Sequence, residues 1–117
     1  MKKIFYLSSC STCQQILKEW NPKKDIQLQD IKTEKITPEQ LELMSQLAGS
    51  YEALFSRVAL KFRALGLNEI ELTEKDYRKY ILDEYTFLKR PVLVLNDSIF
   101  VGNSKKNVAA AKTALQK

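Results

Sequence analysis

Apolar and polar positions change period several times along the 117-residue chain, and each change marks an expected element. Residues 3–8, KIFYLS, are apolar and aromatic in the manner of a strand and stop at two serines, which predicts β structure. From Ser9 onward, Cys13, Ile16, Leu17 and Trp20 recur at helical spacing until Asn21-Pro22 breaks the pattern. Residues 25–31, DIQLQDI, alternate Ile26, Leu28 and Asp30 against Gln27, Gln29 and Ile31, the mark of a half-buried second strand. Thr37, Pro38 and Gln40 then supply an N-cap, a first-turn proline and a capping-box partner for a helix running to about Leu47. After Gly49, the apolar set Leu54, Phe55, Val58, Phe62 and Leu65 predicts a second helix on one face, closed by Gly66. A third opens on Thr73 and carries Tyr77, Tyr80, Ile81 and Leu88 toward the core. Two β-rich runs, RPVLVLND and SIFVGN, flank the turn cluster Asn96-Asp97-Ser98 and read as an antiparallel hairpin, after which Ser104 caps a last helix.

The order is β-α-β, a helical insert over about 37–88, then β-β-α. That layout predicts an α/β fold of thioredoxin-like (glutaredoxin-like) type, a three-layer sandwich with helices on both sides of the sheet, in one domain spanning 1–117. Composition agrees with a single globular domain: 44% hydrophobic, 28% charged, 3 Gly and 3 Pro, with no repeat and no low-complexity tract. The longest apolar runs, such as residues 91–95, fall far short of the roughly 20 residues of a membrane helix. The first ten residues lack the apolar region of a secretory signal, so a cytoplasmic, reducing location is expected.

Net charge is +5, which favours anionic ligands or an acidic partner surface. The lysines are dispersed and not interleaved with aromatics, so no nucleic-acid groove is expected. Histidine is absent, which removes the usual general base and the usual metal ligand together.

Both cysteines, Cys10 and Cys13, lie where the first strand gives way to the first helix. A closed zinc site needs four Cys or His ligands and the chain offers two, so no metal is expected. Covalent haem attachment needs His after the second Cys, where Gln14 stands. A structural disulfide across so short a loop would restrain the unfolded chain little, whereas two thiols acting as small buried hydrophobes remain a plain alternative. A redox role explains the placement as well as the pair. A thiolate at the first turn of a helix faces unpaired N–H groups and the positive end of the dipole, which lowers its pKa. Cys13, one turn inside on the same face, is placed to attack an adduct formed on Cys10. Without His, further stabilisation must come from Arg57, Arg63, Arg78 or Arg90. Arg90 stands out because it directly precedes Pro91 at the head of a strand.

These residues carry a family resemblance. IFYLSSCSTCQQIL, the ALGL at 64–67 and RPVLVLNDSIFVGNSKKNV together resemble the glutathione- or glutaredoxin-linked arsenate reductases and their relatives, the Spx-type transcription regulators. The resemblance implies that Cys10 is the nucleophile toward arsenate and that Arg90 binds the oxyanion beside a cis-proline, Pro91. Ser11, Thr12, Arg57, Arg90 and Pro91 form the expected anion-binding set, with no cofactor bound and glutathione or glutaredoxin as reductant. Where the family carries an arginine after the glycine of the last turn, this chain has Asn103 and Ser104, with Lys105 behind them. Two functions follow. One is a thiol oxidoreductase in which Cys13 or an external thiol resolves the Cys10 adduct. The other is a redox switch that docks on the RNA polymerase α subunit, with Gly49-Ser50 as a partner-facing bend.

Overall fold

A computed structural model describes all residues, Met1–Lys117, and the chain divides into two compact units. The first comprises Met1–Lys35 and Arg90–Lys117, the second Ile36–Lys89.

The first unit is built on a four-stranded sheet in the order β2-β1-β3-β4, from β1 (Lys2–Tyr6), β2 (Gln27–Asp30), β3 (Val92–Leu95) and β4 (Ser98–Val101). β1 runs parallel to β2, joined by the crossover helix α1 (Ser11–Trp20), and antiparallel to β3 with Phe5 opposite Val92 and Lys2 opposite Leu95. β3 and β4 form the expected hairpin, and Asn96 takes the left-handed backbone its tight turn requires. On one face of the sheet, Ile4 and Leu93 pack with Ile16 and Trp20 of α1 and with Val108 and Ala111 of α5 (Lys105–Leu115). The Trp20 indole N–H donates to the Val108 carbonyl at 3.0 Å, which satisfies its one buried polar group. Alternate residues Phe5, Val92 and Val94 point to the opposite face and are also fully buried.

Helix ends follow the local signals. Asn21 adopts a left-handed conformation and returns its N–H to Leu17, ending α1 where the Asn-Pro pair predicts, and the Ser104 hydroxyl accepts from the Asn107 N–H to open α5. β2 departs from expectation. Its buried positions are Gln29 and the following Ile31, whereas Leu28 is 50% exposed. The Gln29 amide spends its donor on the Glu34 carbonyl at 3.1 Å, so a polar residue occupies the inward register at small cost.

The second unit holds α2 (Pro38–Ala48), α3 (Leu60–Ala64) and α4 (Glu74–Asp83), linked by short 3₁₀ turns. Thr37 and Gln40 complete the capping box at the start of α2, and Thr73 with Asp76 does the same for α4. The single helix expected after Gly49 does not form. Residues 52–54 make a 3₁₀ turn, Phe55 is extended, and only Leu60–Ala64 are helical. Main-chain pairing with a distant segment replaces the helix. Phe55 bridges Leu88 antiparallel, the Ser56 N–H donates to the Phe87 carbonyl at 2.7 Å, and the Lys89 N–H to the Leu54 carbonyl at 2.8 Å. Val58 and Leu65, assigned to a buried face by periodicity, are 92% and 54% exposed. Leu88 belongs to that bridge, beyond the end of α4 at Asp83. Phe55 is the hub, in ring contact with Phe62, Tyr77 and Phe87 at 6.0, 4.9 and 5.1 Å between centroids.

Candidate active site

β1 ends at Tyr6, and the chain turns through Leu7, Ser8 and Ser9 before Cys10 opens α1. The turn is closed by the Cys10 N–H, which donates to the Leu7 carbonyl at 3.0 Å. Cys10 is the N-cap: its backbone is extended at φ −92° and ψ 117°, and its carbonyl accepts the first helical bond, from the Gln14 N–H at 3.1 Å. Ser11 and Thr12 follow as the exposed first residues of the helix. Cys13, one turn in, is fully buried, and both thiols are free.

This geometry separates the two sulfurs electrostatically. Desolvation acts to raise the Cys10 pKa, but it is outweighed. The Cys13 N–H, the Cys13 thiol, the Thr12 N–H and the Arg90 guanidinium all favour the ionised form, and together they hold Cys10 below the ordinary thiol value. Cys13 goes the other way. Burial pushes it up to about 11, and the neighbouring Cys10 adds to the shift by charge and by hydrogen bonding, against weaker opposition from the Leu7 backbone and Arg90. One thiol thus ionises more readily than a free cysteine, and the other is held protonated as its hydrogen-bond donor.

Arg90 owes its place to the sheet. Because β3 runs antiparallel to β1, the residues just before β3 and those just after β1 lie at the same edge, which brings position 90 to position 10 across eighty residues of sequence. The Arg90–Pro91 peptide is cis and Pro91 is buried, its carbonyl accepting from the Gly102 N–H at 2.9 Å.

Of the residues singled out by sequence, Cys10, Cys13, Ser11, Thr12, Arg90 and Pro91 lie in the first unit. Arg57 lies in the second. There its guanidinium donates to Glu52 at 2.9 Å and to the Tyr77 hydroxyl at 2.8 Å, and it sits over the rings of Tyr77 and Phe55 at 5.5 and 6.0 Å. Ser104 spends its hydroxyl on capping α5, and Asn103 and Lys105 are exposed.

Sequence reading missed the residues that hold the turn. Asp30, at the end of β2, accepts from the Ser8 hydroxyl through Oδ2 and from the Ser8 and Lys32 N–H groups through Oδ1, at 3.4 and 3.2 Å. The Ser8 hydrogen bond holds the Asp30 carboxyl below the usual carboxylate range. From the helix, the Gln14 amide donates to the Ser8 carbonyl at 2.6 Å. The available signal was an aspartate at the end of a strand parallel and adjacent to β1.

No helix is long and apolar enough to cross a membrane. Solved structures similar to this chain include the YFFB protein, at 22% identity and TM-score 0.76, covering 98% of this chain and 99% of that one. An arsenate reductase from Vibrio cholerae is 17% identical with TM-score 0.76, over 93% of this chain and 95% of its own. An arsenate reductase (ArsC) related protein from Brucella melitensis is 22% identical with TM-score 0.67, over 93% and 92%. The fold they share with this chain is α/β and thioredoxin-like. No curated protein matches at a significant level. The pattern that defines the ArsC family matches residues 5–111, a span that takes in both thiols, Arg90 and Pro91, and the chain belongs to the ArsC family.

Proposed function

We propose that the chain is a thiol-dependent oxidoreductase acting on arsenate, with Cys10 as nucleophile. The observation that carries this reading is the Cys10 sulfur at the head of α1, lowered in pKa by helix N–H donors and Arg90 and hydrogen-bonded by the Cys13 thiol. In the proposed cycle the Cys10 thiolate attacks arsenic(V), and an S–As bond forms as an arsenate oxygen leaves as water. Arg90 offers a planar, charged donor set suited to a tetrahedral oxyanion, with Ser11 and Thr12 beside it at the helix start.

Resolution needs a second thiol. If Cys13 supplies it, its thiolate attacks the Cys10 sulfur, an S–S bond forms, the S–As bond breaks and its electron pair stays on arsenic, which departs as arsenic(III). Two thiols are oxidised by two electrons and arsenic is reduced by two. The timing suits the pair, because bonding Cys10 to arsenic removes the thiolate that helps hold Cys13 protonated. Glutathione or glutaredoxin would then reduce the disulfide. The test is steady-state arsenate reduction with glutathione and glutaredoxin: turnover by the parent that is lost in Cys10→Ser supports the enzyme.

A second reading is favoured by the contact between the two thiols, which lets an oxidant such as glutathione disulfide take two electrons and two protons from the pair and leave an internal disulfide with no arsenate involved. The pair would then be a redox switch on a protein that binds the RNA polymerase α subunit. Absence of arsenate turnover in the parent, with redox-dependent capture of that subunit, selects this reading.

A further inference from the structure

Every polar group of Ser8 is committed to a side chain from another element. Its hydroxyl and N–H go to Asp30 of β2, and its carbonyl accepts from Gln14 of α1. These bonds support no regular ladder. They converge on the turn two residues before Cys10, whose own N–H closes that turn on Leu7. We propose that Asp30 is a positioning residue for the Cys10 thiolate, acting through Ser8 to hold the turn and so keep the sulfur over the N–H groups of Thr12 and Cys13. The proposal rests on the reading of Cys10 as the reactive thiol.

The physical reason is directional. Helix N–H groups stabilise an anion only within the first turn and only while the N-cap residue keeps its extended backbone. A freed turn lets Cys10 rotate its sulfur away from those donors. The charged groups facing this region are Lys32, which acts on Asp30, and Arg90, which acts on Cys10. Asp30 is itself negative, so the two possible consequences of removing it have opposite signs. Loss of its charge alone would lower the thiol pKa, whereas loss of positioning raises it.

Iodoacetamide labelling of the Cys10 peptide against pH, in the parent and in Asp30→Ala, Asp30→Asn and Ser8→Ala, reads that sign. The expected result is a labelling midpoint raised by about half a pH unit or more in Asp30→Ala and Ser8→Ala. Asp30→Asn, which keeps an acceptor for the Ser8 hydroxyl without the charge, is expected to give a midpoint at or below the parent value. Thermal melts run alongside identify variants that fold, and the exposed Ser8→Ala change breaks the same link from the other side. A midpoint unchanged or lowered in the folded alanine variants, even with a depressed melting temperature, overturns the positioning role. An ordinary thiol midpoint in the parent itself overturns the reading of Cys10 and the role of Asp30 with it.

Discussion

At the scale of single residues, two chemically identical side chains three positions apart are driven in opposite directions by where the helix begins. Cys10 accepts from backbone donors and feels Arg90, while Cys13 loses water and gains a negative neighbour. Differential alkylation should therefore give Cys10 a midpoint below the free-thiol value of about 8.5 and leave Cys13 unmodified until far more alkaline pH. Equal reactivity of the two across the titration would contradict the assignment. Arg90→Ala should raise the Cys10 midpoint and cut arsenate turnover, and Arg90→Lys should restore the midpoint in part, because a point charge replaces the Coulomb attraction but not the planar fork. An Arg90→Ala protein with the parent's midpoint would remove the guanidinium from the account. The thiol pair and the Arg-Pro step were legible because each is a local signal, a breaker or a cap beside a reactive group. Asp30 was not, since its bond to Ser8 joins residues 22 apart and nothing in either neighbourhood announces it.

Elements were legible where their ends carry capping chemistry. Thr37, Thr73 and Ser104 all open helices by accepting from the third residue on, and Thr37→Ala should destabilise by about 1 kcal/mol in denaturant unfolding, with an unchanged midpoint counting against the cap. Residues 51–65 misled because their helical periodicity is real while the backbone groups of Leu54 and Ser56 pair with Phe87 and Lys89 instead. Tertiary pairing overrides a local pattern, and a sequence read window by window does not contain it. The difference is measurable. Leu54→Ala, at a fully buried position, should cost about 2–5 kcal/mol, whereas Val58→Ala, 92% exposed, should be close to neutral. Similar losses at both sites would restore the continuous amphipathic helix.

For the molecule as a whole, the buried thiol couples folding to alkaline pH. Folded Cys13 stays protonated to about 11, while an unfolded thiol ionises near about 8.5. Its contribution to stability is complete below the unfolded value and disappears as pH rises through the folded one. Cys10, shifted the opposite way, contributes stability that is present above the unfolded value and lost as pH falls through its own. Denaturant midpoints measured on the parent and on Cys13→Ala should diverge in that alkaline window, with the parent falling faster, and parallel curves would exclude the coupling. The sheet has a consequence of another kind. The separation between the Cys10 sulfur and the Arg90 guanidinium is stored in a ladder of main-chain bonds that sets Phe5 opposite Val92. Swapping one aliphatic for another within β1 or β3 should thus spare the chemistry even where it weakens the protein. Deleting a single residue from either strand slides the ladder by about 3.3 Å and inverts which side chains face inward, so the same loss of one amino acid should silence the sulfur outright.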